Sequence, residues 1–246
     1  MLGRSVTPPS DKIYAEQFHR YFDEKVAGLR STTADAPLPS FEQSSTEMSF
    51  NCFQTVSLDE VVAAVKALAD KHCTLDPLPT KLLKAAVDVI SPFLTELFNR
   101  SLSQGHVPDS FKIAHLSPRL KNADFDTSDV LSYHPIPNLS ILSKLLERLT
   151  AHQLKAHLDA CGLFPRLQTA YRANHSTETA VLKVLFDILL AIDGGDLSAL
   201  VLLDLSAAFD TVDHYILLRR LDITYRLNES VLNGFESYLV DRKSVV

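Results

Sequence analysis

The hydrophobic pattern is most continuous at residues 199–203, an unbroken apolar run that is followed at once by a carboxylate, Asp204. Turn-forming residues at 194–196 precede the run, so the pattern predicts a strand that is buried on both faces. A carboxylate rarely enters a buried strand alone, because removing a lone charge from water costs far more than one side chain recovers. Its usual partners are a cation or a metal ion, and Asp204 is therefore a candidate for chemistry.

The residues after this carboxylate predict a tight turn that leads into a helix. Small side chains at 206–208 let another group come close to the backbone, and the aromatic Phe209 follows them. The apolar positions of residues 212–221 have helical spacing, and Asp210 or Thr211 is a suitable N-cap. Strand, carboxylate, turn and helix together are typical of a catalytic corner.

Apolar residues at helical spacing predict further helices along the chain, and capping residues mark their starts. Ser57 and Glu60 form a capping box, and Ser91 precedes Pro92 in a pattern typical of a helix start. The predicted helices cover residues 11–30, 58–68, 80–90, 91–105, 142–162 and 176–194. The last of them is expected to bury Val181, Val184, Leu185, Ile188, Leu189 and Ile192.

Two other segments lack helical spacing. Residues 31–47 are polar and rich in proline and serine, which predicts a linker without regular structure. Residues 113–121 predict an extended segment, and Pro118 favours an edge strand because proline cannot donate to a ladder.

Composition places the 246-residue chain among soluble globular proteins, with 46% hydrophobic and 22% charged residues. Three widely spaced cysteines suggest neither a disulfide framework nor a zinc cluster, and no segment is typical of a signal peptide or a membrane span. We therefore expect an intracellular protein, nuclear or cytoplasmic and not secreted.

The net charge is −6, yet residues 100–175 carry nine basic and six acidic side chains. A basic middle would suit nucleic acid, although ordinary solvated charge explains this feature equally well.

The string Leu203–His214 resembles the first catalytic palm motif of reverse transcriptases from non-LTR (LINE-type) retrotransposons. Segments at 74–84, 132–149 and 167–180 extend the resemblance over residues ~55–246. It implies an α+β right-hand polymerase fold, mostly helical, made of fingers and a partial palm. Residues 1–55 would then be a linker region upstream of the polymerase with one amphipathic helix, and residues 56–246 a partial reverse transcriptase domain.

The resemblance also implies roles for residues of the motif. In this family the first aspartate, here Asp204, binds both catalytic Mg²⁺ ions, and the backbone carbonyl of the next residue, Leu205, helps to bind one of them. The aromatic ring of Phe209 would lie under the incoming sugar and exclude a 2′-hydroxyl. The implied partners are an RNA template, a DNA primer and dNTPs, with no membrane involved.

Three cations are candidates for phosphate binding. Lys144 and Arg148 are four residues apart on an exposed helix face, where they either contact nucleotide or template phosphates or are simply solvated. The resemblance favours phosphate contact. Arg172 precedes the helix that begins at Ser176, and an arginine near a helix N-terminus is a reasonable phosphate ligand.

The chain departs from the family pattern at several points. His134 stands where the family usually has arginine, Gly234 stands where it usually has tryptophan, and the sequence contains no Asp-Asp pair. It stops before the family's Asp-Asp hairpin and thumb. Asp210 and Asp213 do not replace that pair, since acids in a first helical turn usually cap the helix. One carboxylate cannot hold two Mg²⁺ ions about 4 Å apart.

Two functional hypotheses follow. The first is an RNA-directed DNA polymerase domain by descent, which is inactive as this chain stands. The second is a non-enzymatic remnant that binds nucleic acid weakly.

Overall fold

The computed structural model describes residues 15–43, 46–70, 76, 78–205, 208–240 and 243–245. Within these residues, helices predominate over a small sheet, as expected of an α+β fold. The helices are α1 (Ala15–Ser31), α2 (Leu58–Lys66), α3 (Thr80–Ala85), α4 (Val87–Gln104), α5 (Ile141–Ala160), α6 (Thr177–Asp193), α7 (His214–Ile223) and α8 (Glu229–Leu239). The strands are β1 (Ile113–Leu120), β2 (Tyr133–Leu139) and β3 (Lys243–Val245). None of the described helices is both long and apolar enough to cross a bilayer.

The hydrophobic core lies between α2, α4 and α5. Val61 and Val65 of α2, Phe98 of α4 and Leu145 of α5 are fully buried. Ser57 caps α2 as the sequence predicts: its side chain accepts from the Glu60 amide at 3.2 Å, and the Glu60 carboxylate accepts from the Ser57 amide at 2.7 Å. The cap fixes the start of a helix whose inner face forms one wall of the core.

The break between α3 and α4 lies at Ala86, whereas the sequence predicts it at Ser91 and Pro92. Pro92 is accommodated inside α4. Proline has no N–H, so the carbonyl of Asp88, four residues earlier, receives no helical hydrogen bond from residue 92. Asp88 is an exposed residue in the first turn, where water can bind this carbonyl instead. Ser91 is buried, and its carbonyl accepts from Thr95 Oγ1 at 2.8 Å. The serine therefore packs within the helix and does not cap it.

The sheet has the order β2-β1-β3, with β1 antiparallel to β2 and parallel to β3. The extended conformation predicted for residues 113–121 is confirmed, but the prediction of an edge strand is wrong because β1 is central. The sheet still tolerates Pro118, since β3 pairs only with residues 113–115. Pro118 faces Pro135, and Pro137 faces Leu116, on alternate pairs of the β1–β2 ladder. Only every second antiparallel pair exchanges N–H···O bonds, so all three prolines can occupy pairs that need no donor.

The N-terminal segment contacts the rest of the chain. The helix predicted at 11–30 is observed as α1, and residues 11–14 lie outside the described part. Phe18 of α1 is buried, with its ring edge-on to Tyr133 at 5.1 Å between centroids. Phe50 forms a bridge with Leu227, with backbone bonds of 2.8 and 3.0 Å to the residues on either side of Leu227. Residues 32–43 and 46–47, within the linker predicted at 31–47, form no helix or strand.

The apolar face of α6 is exposed, which contradicts the predicted burial. The start at Ser176 and the end before Gly194 are as predicted. Of the six residues expected to be buried, five are exposed, and Ile188 is only partly buried. Apolar residues cover most of the circumference of this helix, apart from the side with Lys183 and Asp187, and so wide an apolar surface is typical of a helix enclosed by other elements. In the described part of the chain, no other element covers it.

Candidate functional site

Asp204 lies in residues 196–205, a segment without helix or strand that is exposed throughout. The predicted strand is therefore not observed, and neither is the predicted burial: Leu203 is 89% exposed and Leu205 is 75% exposed. The physical reason is the absence of a partner, because β1, β2 and β3 pair only with one another within the described residues. An apolar run becomes a buried strand only where other strands supply hydrogen bonds on its edges.

The residues after Asp204 form the predicted turn and helix. Of the small residues, 206 and 207 lie outside the described part of the chain. Phe209 lies in the turn at 208–211 and is 77% exposed. Asp213 is the N-cap of α7, and its carboxylate accepts from the Ile216 amide at 2.9 Å. The cap is thus two or three residues later than Thr211 or Asp210, and the structural role predicted for Asp213 is confirmed.

A residue of the N-terminal helix α1 forms hydrogen bonds to the backbone of this turn and of the segment after it. Arg30, in the last turn of α1, donates from Nη2 to the carbonyl of Val212 at 3.1 Å and to that of Asp210 at 3.5 Å. A guanidinium has several donors in one plane, so it can bind two carbonyls of one turn at once. Sequence reasoning missed this contact because the partners are about 180 residues apart.

Lys144 and Arg148 are exposed on α5, as predicted. Arg148 makes one long bond, from Nη1 to the carbonyl of Ala64 at 3.4 Å. The start of α5 is fixed by Ser140, which accepts from the Ser143 amide, and by Asp76, whose Oδ2 accepts from the Ile141 amide at 2.7 Å. The two cations therefore stand on a helix whose N-terminus is capped twice.

Asp76 has a structural role that the sequence did not reveal. Its Oδ1 accepts from the Leu78 amide at 3.1 Å while its Oδ2 caps α5 from 65 residues away. The signal was an aspartate followed by proline, which predicts a turn. The second contact depends on tertiary structure and has no signature in the sequence.

Arg172 lies just before α6, as predicted, but its guanidinium faces the preceding loop. Nη1 donates to the carbonyls of Pro165 at 3.3 Å and Gln168 at 3.4 Å, and the guanidinium lies 5.3 Å from the centre of the Phe164 ring. These contacts shape the loop at 164–172. A phosphate at Arg172 would have to compete with both carbonyls.

The predicted site residues are not bonded to one another within the described part of the chain. No hydrogen bond or ion pair within the described residues links any two of Asp204, Phe209, Lys144, Arg148 and Arg172. Nor do the described residues contain a group of three or more His, Cys, Asp or Glu side chains placed to hold a metal ion. A carboxylate suits Mg²⁺, but Asp204 alone offers too few oxygens for it.

His134 and Gly234, the two departures from the family pattern, have different surroundings. His134 is exposed on β2, opposite Arg119 of β1. Gly234 is half-buried on α8, where a Cβ atom would lie 3.4 Å from Cε2 of Phe53 and 3.7 Å from the Cα of Gly105. The glycine lets α8 approach the end of α4 closely.

The chain is similar to known polymerases of mobile elements. Residues 121–234 match the family described as "Reverse transcriptase (RNA-dependent DNA polymerase)". The chain is 31% identical over 193 residues to "Probable RNA-directed DNA polymerase from transposon BS" of Drosophila melanogaster. These 193 residues are 78% of this chain and 21% of that protein. It is 30% identical over 160 residues to "RNA-directed DNA polymerase from mobile element jockey" of the same species, covering 65% and 17% of the two chains.

A third relative is "Probable RNA-directed DNA polymerase from transposon X-element" of Drosophila melanogaster, 28% identical over 200 residues, or 81% of this chain and 22% of that protein. The chain thus spans about a fifth of the length of these curated relatives. The matched family region contains the Asp204 segment, the β1–β2 connection and all of α5, α6 and α7. The chain is identified as a relative of the reverse transcriptases of mobile elements.

Proposed function

We propose that this chain is part of the RNA-directed DNA polymerase of a non-LTR (LINE-type) retrotransposon, and that it supplies the fingers and the first acidic motif of the palm. The observation that carries the proposal is the string Leu203–His214, which lies inside the region that matches the reverse transcriptase family. Residues 56–246 would belong to the polymerase, and residues 1–55 would precede it. The reaction is transfer of a nucleotidyl group from a dNTP to a primer on an RNA template.

Asp204 is the proposed metal ligand, assisted by the backbone carbonyl of Leu205. Two Mg²⁺ ions in such a polymerase activate the attacking 3′-oxygen and steady the triphosphate. The described residues fit this requirement only in part, because they contain no group of three or more acidic, His or Cys side chains placed to hold a metal ion. We therefore propose that further carboxylates come from another part of the polymerase, and that the 246-residue chain alone does not polymerise.

The remaining proposed roles concern the nucleotide and the template. Phe209 is exposed in its turn, so its ring is accessible to the ribose of an incoming nucleotide. Lys144 and Arg148 are exposed cations on a rigidly capped helix and are proposed to contact phosphates. Arg172 is proposed to contact a phosphate as well, at the expense of its bonds to Pro165 and Gln168.

A second candidate function is weak nucleic-acid binding without catalysis. The observation that favours it is the exposed, unpaired segment at 196–205, which does not form a palm strand in this chain. Both candidates require phosphate contact through α5, whereas only the first requires the carboxylate of Asp204 to act in synthesis.

The phosphate contacts can be tested by RNA binding at several salt concentrations. Replacing Lys144 and Arg148 by alanine should weaken binding of single-stranded RNA and lower the slope of log K against log salt by about 1.4, since each phosphate contact contributes about 0.7. The matched control is the double alanine variant of Arg20 and Lys25, two exposed cations on α1. An unchanged slope in the α5 variant, or an equal loss in the control, would refute the assignment.

A further inference from the structure

An apolar cavity of about 220 Å³ lies between α4, α5 and α8. Its floor and walls include the side chains of Leu102, Leu146, Leu154, Phe53 and Phe235. None of the residues proposed for polymerase chemistry or phosphate contact lines it. The cavity is therefore a feature that the proposed function does not use.

The cavity exists because two of its wall positions carry little or no side chain. Gly234 on α8 and Ala151 on α5 line it, and Gly234 lies against the end of α4 at Gly105. An added Cβ at Gly234 would be in contact with Cε2 of Phe53, at 3.4 Å, and would lie 3.7 Å from the Cα of Gly105. Larger residues at these positions would fill the space, since cores normally pack without voids.

The two buried serines in the cavity wall are already bonded to protein partners. Ser101 Oγ donates to the carbonyl of His106 at 2.6 Å, and Ser143 Oγ donates to that of Phe111 at 2.9 Å. No buried side-chain nitrogen or oxygen among the described residues lacks a partner. The cavity therefore offers little to hold ordered water, which needs two or more free polar partners.

One carboxylate stands in the wall. Glu147 of α5 accepts a hydrogen bond from the Tyr238 hydroxyl of α8, and both residues are half-buried. An anionic ligand would meet this carboxylate in surroundings that screen charge poorly, which disfavours it. The aromatic rings of Phe53 and Phe235 favour a planar ligand, because aromatic pairs gain energy beyond that of the area they bury.

We propose that this cavity is a binding site for a small, uncharged, planar aromatic molecule of one or two rings. A dry cavity of about 150 Å³ lined by apolar side chains binds benzene, and the present cavity is somewhat larger. Its largely apolar walls disfavour strongly polar ligands, and Glu147 disfavours anions. The cavity is partly open, so the ligand enters without unfolding of the core.

Indole is the probe that tests this site, with the full 246-residue chain. Titration followed by ligand-observed NMR should show saturable binding to one site with a Kd of about 1 mM or tighter. Intermolecular NOEs should connect indole protons to the methyl groups of Leu102, Leu146 and Leu154. Indole-3-acetate, which adds a carboxylate, should bind at least about tenfold more weakly because of Glu147.

Two glycine variants provide a matched pair. Gly234→Leu fills the cavity and should weaken indole binding at least about tenfold. Gly28→Leu is the control, because Gly28 lies on α1 with nothing within 4 Å of an added Cβ, and binding should not change. Should Gly234→Leu fail to unfold cooperatively, the NOEs of the unsubstituted chain decide instead.

Four results would overturn the proposal: no saturable binding of indole, NOEs to the exposed face of α6 in place of the three leucines, unchanged binding in Gly234→Leu, or equal affinity for indole-3-acetate. Saturable binding with the expected NOEs, lost on filling and weakened by the added charge, would establish both the site and its ligand class.

Discussion

We predict opposite changes in unfolding free energy when alanine replaces either of two glycines that face each other in the contact between α4 and α8. Gly105, the C-cap of α4, has φ +60°, and a Cβ there would lie 2.4 Å from the carbonyl oxygen of Ser230 and 3.1 Å from Cβ of Asn233. Gly105→Ala should cost about 1–2 kcal/mol for the left-handed conformation. The clash with a backbone oxygen, which a rotamer change cannot relieve, adds about 1–3 kcal/mol. The total predicted loss of unfolding free energy is about 2–5 kcal/mol.

Gly234→Ala should instead stabilise the protein. Gly234 is in the interior of α8 without a positive φ, and an added Cβ would be in ordinary contact with Phe53 at 3.4 Å. Alanine is preferred to glycine within a helix by about 0.5–1 kcal/mol. Urea unfolding followed by circular dichroism measures both changes as shifts of the midpoint. A Gly105→Ala variant within 0.5 kcal/mol of the parent, a threshold of about the ordinary surface effect, would refute the packing described for this contact, as would a destabilised Gly234→Ala variant.

Three further predictions concern capping residues and the exposed carboxylate. The hydrogen bonds from the backbone amide and the hydroxyl of Ser57 lower the pKa of Glu60; Glu60 should therefore stabilise the fold above pH 4.5 and lose this contribution as the pH falls through the folded pKa. Unfolding of Glu60→Gln at pH 7 and pH 3 should reveal the difference, a few tenths of a kcal/mol because the carboxylate is exposed. Asp76→Ala should cost about 1–2 kcal/mol in urea unfolding, since it removes the cap from the Ile141 amide, and Asp76→Asn should cost less because its amide oxygen still accepts. Asp204→Asn should leave the urea midpoint of this chain unchanged, because the carboxylate is exposed; a clear shift would show that it has a structural partner.

Local features were predictable from the sequence where the determining contacts are local. The cap at Ser57, the cap at Ser176 and the end of α4 at Gly105 each depend on residues within a few positions, and all are observed. The extended β1 was also found, although its place in the sheet was not. Strand order depends on which distant segments pair, and Pro118 alone does not determine it.

The two errors about burial share one physical origin, which is that burial depends on partners far along the chain. The run at 199–203 and the apolar face of α6 have the composition of buried elements, yet nothing in the described part of the chain covers either of them. Asp76 and Arg30 show the converse case. Each is an ordinary polar residue in the sequence and makes a long-range bond to α5 or to the turn after Asp204.

The central claim is that Asp204 is a catalytic carboxylate of an RNA-directed DNA polymerase. Its most direct test is primer extension on an RNA template by a chimera in which residues 56–246 replace the corresponding segment of the jockey polymerase. We predict that the chimera incorporates dNTPs with Mg²⁺, that Asp204→Asn abolishes incorporation, and that Asp196→Asn, in the same exposed segment, preserves it. Primer extension by the Asp204→Asn chimera at the rate of the unsubstituted chimera would contradict the claim.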